Sequence, residues 1–334
     1  MRRFLLRVSL FVAIPLVLLL VLYVVTDPFK TLKPFSLEYF DQTNRDYLSS
    51  ELFLKNNPEQ HYDSFVFGSS RGCGLNMYHW KKYLPEGSNP YLFQAWGETL
   101  TGIEQKISFI DKNGVALDNA IILIDIPGSF DDDQTPTDAL SIKDPTISGQ
   151  PRWLFHGILV LDFLQKPSQW LRAIKTYYVD SPPEICFDVV TNDWYKDNSR
   201  LDISIPPPKD SLKNMSQISR TAFIKEISNK SDKDLVVSKP LINSAFLDQL
   251  YRIRSVFDKH GTNYRIVITP GFCYTNPAIA PQDDAVLRRV FGDKNVFDYS
   301  GKNWLSSDYN NYSDSGHFGL FVGWHIIEDI YRSK

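Results

Sequence analysis

Two short segments of this sequence combine residue types that can do acyl-group chemistry. The first is Phe67-Gly68-Ser69-Ser70-Arg71-Gly72, at the end of an apolar run, Ser64–Gly68 (SFVFG). A serine on a turn between a strand and a helix sits where backbone N–H groups converge and can stabilise a developing oxyanion. The second is Tyr312–Gly319 (YSDSGHFG), in which Asp314 and His317 are spaced as D-x-x-H. A carboxylate opening a turn can meet an imidazole three residues on and fix its tautomer. The other ring nitrogen is then free to take a proton from a serine hydroxyl. Each segment alone is weak evidence: serine is common after strands, and Asp314 could simply cap a helix.

The elements around these segments alternate between strand and helix. Strands are expected near 64–68, 91–95, 120–126, 264–269 and 295–299. Ala120–Ile126 (AIILIDI) is apolar on both faces, as in a covered parallel sheet. Helices are expected over 75–84, from a Thr99 cap to about Lys112 before Gly114, over Ser244–Lys259 before Gly261, and over Phe318–Tyr331. This rhythm predicts an α/β fold: a doubly wound parallel sheet with helices on both faces. Ligands collect beyond the carboxyl ends of such strands, where Ser70 would lie. Residues 28–60 read as a mixed juxtamembrane stretch. Residues 128–239 break the rhythm with a polar start, an aromatic helical run over Arg152–Val179, and a proline-spotted tail. They are expected to form an inserted cap. The aromatics Trp153, Trp170, Tyr177, Tyr178, Trp194 and Tyr195 are either ordinary core or a sugar-stacking wall.

Val8–Val25 is 18 residues without a charge, about 27 Å of helix at 1.5 Å per residue and close to a bilayer's hydrocarbon thickness. Arg2, Arg3 and Arg7 precede it and Asp27 follows. The arginine flank predicts a single-pass anchor in the cytoplasmic membrane, over residues 1–27. The N-terminus would stay in the cytoplasm, with one extracytoplasmic domain over 28–334. A cleaved signal peptide fits less well, because VVTDPFK is a poor cleavage site. The net charge of −3 over 334 residues gives no electrostatic reason to expect nucleic acid as a partner. Cys73, Cys186 and Cys273 allow at most one internal disulfide and are read as small buried thiols. His61, His79, His156 and His260 form no metal pattern, and His325 is expected to pack. No metal or organic cofactor is expected.

Together the two segments resemble the SGNH (GDSL-like) hydrolase superfamily, in its membrane-anchored G-S-S variant. Stretches such as NRDYLSSELFLKN and FDYSGKN are similar to those of anchored cell-envelope proteins of Bacteroidetes-type bacteria. The resemblance implies a flavodoxin-like three-layer sheet of strand order 2-1-3-4-5, with Ser70 as nucleophile, His317 as base and Asp314 as its orienter. Ser69 stands where the family's motif has aspartate. Gly97, in QAWGET, matches the second block, so the Ser70 and Gly97 N–H groups are the expected oxyanion hole. Arg71, Gln94 and Glu98 are candidate substrate contacts. The third block normally supplies an asparagine after the third strand, but here the place reads IDIPGSF, with Asp125 and Pro127. Arg71, Gln94 or Asn76 could substitute.

The implied activity is an acyl esterase or O-acyltransferase acting on an envelope or exported glycan. The alternatives are a catalytically silent binding or assembly protein of polysaccharide-export machinery, and a lipid esterase.

Overall fold

A computed structural model describes residues 1–32, 44–131, 139–178, 186–195, 207, 209 and 217–332. The chain divides into two compact units: Met1–Glu51 with Thr135–Glu184, and Leu52–Gln134 with Ile185–Lys334. Residues 128–239, read as one insertion, are shared between the units, and 28–51 group with the N-terminal helix.

The first unit contains α1 (Arg2–Thr26), the start of α2 (Arg45–Gln60), a short α5 (Pro145–Ser148), α6 (Arg152–Gln165) and α7 (Pro167–Tyr178). α1 holds an 18-residue window of mean hydropathy 3.0, only 6% of it buried, so it is long and apolar enough to cross a membrane. The expected single run Arg152–Val179 is two helices, broken at Lys166 and Pro167, because proline fits a first helical turn but not a helix interior. Tyr23 and Phe29 pack with Phe155, Leu159 and Phe163 to form this unit's core.

The second unit is the α/β unit. In chain order it holds β1 (Ser64–Gly68), α3 (Met77–Lys81), β2 (Pro90–Gln94), α4 (Leu100–Lys112) and β3 (Asn119–Ile124). A two-residue pair comes next, β4 (Cys186–Phe187) with β5 (Trp194–Tyr195). Then come α8 (Gln217–Ile227), α9 (Ser244–His260), β6 (Asn263–Ile268), α10 (Pro281–Phe291), β7 (Val296–Asp298) and α11 (Leu320–Arg332). Five strands pair in parallel in the order β2-β1-β3-β6-β7. Numbered within the sheet alone, that is 2-1-3-4-5. β1, β2 and β3 are buried along their whole length, which is why they are continuous apolar runs rather than alternating ones.

Successive side chains point to opposite faces. On one face Val66, Leu92, Ile121, Leu123 and Val267 pack with Met77 and Trp80 around α3 and with Val322, Ile326, Ile327 and Ile330 of α11. On the other, Phe53 of α2 meets the rings of Phe65, Tyr91, Phe93 and Phe109 at centroid distances of 5.2–6.5 Å.

Among the described residues, α2, α5, α8 and α10 escape the sequence reading. In α2 the buried Ser49 and Ser50 interrupt the apolar stripe. In α10 the signals are terminal: Pro281 at the start, Asp283 and Asp284 in the first turn, Arg288 and Arg289 in the last. Thr99 does stand at the start of α4, but its side chain makes no cap bond. Glu98 Oε1 accepts from the Thr99 N–H instead, at 3.2 Å.

Candidate active site

Three neighbouring strands end at one edge, and each contributes the residue just beyond it. Gly68 closes β1 beneath Leu123 of β3, so near that a Cβ on Gly68 would lie 2.6 Å from the Leu123 Cβ. Ser69 then caps a five-residue 3₁₀ helix, Ser70–Gly74, accepting from the Arg71 N–H at 3.2 Å. Ser69 donates its hydroxyl to Asp125 Oδ2, one residue past β3. Asp125 Oδ1 accepts from the hydroxyl of Thr269, one residue past β6, at 2.5 Å. The turn carrying Ser70 is thus tied to both strand ends beside it.

The D-x-x-H segment folds on itself. Tyr312 and Phe318 form an isolated antiparallel bridge. The Ser313 N–H donates to the His317 carbonyl at 2.9 Å, and the Gly319 N–H to the Asn311 carbonyl at 2.8 Å. Asp314 Oδ1 accepts from the N–H groups of Gly316 and His317, each at 2.8 Å. These bonds hold the imidazole at the tip of the hairpin.

What joins the two segments is a backbone contact. α11 lies against the 3₁₀ helix with no side chain between them at Gly323: a Cβ there would fall 1.9 Å from the Gly74 carbonyl oxygen. Gly74 in turn lies against Phe318, whose ring atoms would be 2.4 Å from a Cβ.

Ser70 Oγ is 2.7 Å from His317 Nε2. His317 Nδ1 is 2.7 Å from Asp314 Oδ2 and 2.9 Å from Oδ1. An ionised carboxylate can only accept, so Nδ1 carries the proton and donates to Asp314. Nε2 of the neutral ring is then the acceptor for the Ser70 hydroxyl. Burial raises the Asp314 pKa, but the hydrogen bond from His317 and the electrostatic pull of its N–H, with the two backbone N–H donors, outweigh it and leave the carboxyl below its usual range. The pair is open to solvent, with the side chains 43% exposed for His317 and 53% for Asp314. This geometry permits proton transfer from a serine hydroxyl to an oriented imidazole.

The remaining candidates are placed differently. Gly97 stands exposed on the loop after β2, with φ +58, a left-handed conformation that glycine adopts at no steric cost. Arg71 is mostly buried: its guanidinium donates to Thr269 Oγ1 at 2.9 Å and Asn276 Oδ1 at 3.1 Å, and lies 3.8 Å from Asp125. It acts as a brace under the turn, where the sequence suggested a substrate contact. Gln94 is fully buried and donates to Cys73 Sγ at 3.4 Å. Glu98 is buried in an ion pair with Lys106, so its carboxylate presents no surface to a ligand. Asn76 caps α3, accepting from the His79 N–H at 2.7 Å.

His325 packs edge-on against Phe321 and Trp304. Neither Cys73 nor Cys273 is in a disulfide, and the Cys186 side chain lies outside the described residues. Trp153, Trp170 and Tyr178 belong to the first unit and Trp194 to the second. The side chains of Tyr177 and Tyr195 lie outside the described residues.

Thr269 and Asn276 went unnoticed in the sequence. The signal that could have found Thr269 is its place at a strand end before Pro270-Gly271; Asn276 has no local signal, and only the fold brings it within 2.4 Å of where a Gly271 Cβ would lie. Among the described residues, no three His, Cys, Asp or Glu side chains gather as metal ligands. No protein-family model matches the chain, and no curated protein is similar to it.

Proposed function

We propose that this protein is a serine-dependent acyl esterase or O-acyltransferase of the SGNH type, held to the cytoplasmic membrane by α1 and acting outside it on an acylated envelope or exported glycan. The observation that carries the reading is the contact chain from Ser70 through His317 to Asp314, built from segments more than 240 residues apart. A helix cap would explain Asp314 alone. It gives no reason for the imidazole to meet the hydroxyl after β1.

In the first half-reaction Ser70 Oγ attacks the acyl carbonyl while His317 Nε2 takes its proton. The tetrahedral oxyanion is held by the N–H groups of Ser70 and Gly97. As it collapses, the imidazolium protonates the departing sugar oxygen and leaves an acyl-serine. Water or a second hydroxyl, deprotonated by His317, completes the cycle. Asp314 holds the ring and stabilises its charged form. The arginines before α1 support placing this chemistry outside the cytoplasm. The glycan substrate rests on the family resemblance and the exported location.

One observation favours the silent binding or assembly reading instead. The residue after β3 is Asp125, whose carboxylate is bound to Ser69 and Thr269, where the family's asparagine would supply an oxyanion donor. Loss of one such donor costs about 10²–10³ in rate. Labelling the full chain in membranes with a fluorophosphonate decides between them. The enzyme reading expects label on Ser70, absent from Ser70→Ala and His317→Ala. Unlabelled wild type that is correctly folded selects the silent protein. An acetylated glycan compared with short-chain lipid esters then separates glycan from lipid substrates.

A further inference from the structure

The first unit leaves a row of large apolar side chains uncovered. Leu171, Ile174 and Tyr178 lie at i, i+3 and i+7 of α7, so they share one helix face. Leu171 is 71% and Tyr178 75% exposed, with Ile174 exposed beside them. On α6, Trp153 is 75% exposed and Leu161 is also uncovered.

Two further observations say what covers them. The first is position. The other faces of these helices are fixed to the last turn of α1: Tyr23 meets the ring of Phe163 at 5.2 Å, and Leu22 packs with Phe163 and Trp170 in one cluster. α1 has 25 residues, about 37 Å of helix, longer than the roughly 30 Å of a bilayer's hydrocarbon. Arg2, Arg3 and Arg7 take up the excess at its start and Asp27 follows its end, so its last turn lies at the boundary between hydrocarbon and headgroups, and α6 and α7 are held at that level. The second is charge. From Arg152 to Tyr178 there are four cations, Arg152, Lys166, Arg172 and Lys175, and a single carboxylate, Asp162. All four cations are exposed, and the carboxylate is buried against Lys166 and Gln169. Aromatic and aliphatic side chains bordered by lysine and arginine are what a helix lying in a membrane interface presents.

We infer that α6 and α7 form a lipid-docking collar, whose Trp153, Leu161, Leu171, Ile174 and Tyr178 enter the headgroup region of the bilayer that α1 spans. The inference rests on α1 being the membrane anchor, and it gives the first unit a task distinct from the chemistry at Ser70. A single-pass helix alone leaves its domain free to swivel and tilt. A second point of insertion would fix the orientation of the unit on the membrane plane.

The test uses the unmodified full chain in nanodiscs containing a phosphatidylcholine with a diazirine near the acyl carbonyl. After irradiation, lipid adducts are mapped by peptide mass spectrometry. The collar predicts adducts both in Arg2–Thr26 and in peptides of 152–178. Adducts in α1 alone would overturn the collar while leaving the anchor standing. Adducts in neither would overturn the anchor reading and the collar with it. In proteoliposomes, chain-to-chain cross-links through cysteine placed at Leu171 or Tyr178 would also overturn the collar, by showing that a second copy covers the face.

Discussion

Gly323 touches Gly74 backbone to backbone: a methyl group on Gly323 would lie 1.9 Å from the Gly74 carbonyl oxygen. The contact seats α11, and with it His317, against the short helix that begins at Ser70. Gly323→Ala should therefore separate the two halves of the site. Overpacking of this kind costs about 1–3 kcal/mol or more. The expected result is a lower melting temperature together with at least tenfold slower fluorophosphonate labelling. Gly157→Ala is the control, since nothing lies within 4 Å of a Cβ there; inside α6 it removes a helix-weakening glycine, so it should lower neither readout. Wild-type labelling by a folded Gly323→Ala would show that the contact does not position the histidine.

Ser69 and Ser70 are adjacent hydroxyls with different partners. Ser69 faces Asp125 beneath the turn, and Ser70 faces His317. Ser69→Ala removes one donor from a buried carboxylate, a stability cost of about 1–3 kcal/mol, and should retain labelling at Ser70. Peptide mapping of the labelled chain checks this. Label on residue 69 in wild type would shift the nucleophile by one position.

Asp314→Asn keeps the shape of the hairpin but allows the imidazole to present the wrong tautomer to Ser70. Turnover on an ester substrate should fall by about 10²–10⁴, with little change in KM. The side chain is half exposed, so the loss in stability should be small. Equal losses in melting temperature and rate would point to Asp314 as a fold element only.

His79 stacks on Trp324 at 3.5 Å. Burial, with Lys82 adding to it, lowers its pKa to about 4. The folded value lies below that of a free imidazole, so between about pH 6.5 and 4 the unfolded chain binds a proton that the folded chain does not. This contribution to stability is therefore intact at pH 7 and declines as pH falls, by about 2 kcal/mol at pH 5. His79→Phe should flatten the acid side of a melting-temperature profile relative to wild type. Parallel profiles for the two proteins would contradict this assignment.

The three strands β1, β2 and β3 were legible because burial on both faces leaves a continuous apolar run such as residues 120–124. The Asp314–His317 pairing was legible because it is local, closed within four residues. Other features depend on distant neighbours and leave no local trace. The Ser69–Asp125–Thr269 chain exists because β1, β3 and β6 are adjacent in the sheet, β3 and β6 ending in register and β1 one residue short of them. Glu98 looked available because Lys106, its partner, lies two turns into the next helix. Arg71 looked like a candidate substrate contact, because its partners Thr269 and Asn276 come from beyond β6. The run Arg152–Val179 showed its helical period but concealed a corner, since Pro167 is as compatible with a new helix start as with a kink.

Under the proposed mechanism, the exposure of His317 and Asp314 would govern the fate of an acylated Ser70. An acyl group there would stand beside an imidazole that bulk water can also reach. Nothing in that arrangement reserves the base for a sugar hydroxyl. Release of the acyl group is then a race between water, at its full bulk concentration, and an acceptor that must be held close enough to compete. Transferase behaviour would be a property of the occupied site, appearing when a glycan acceptor is bound and lapsing to slow hydrolysis when it is not.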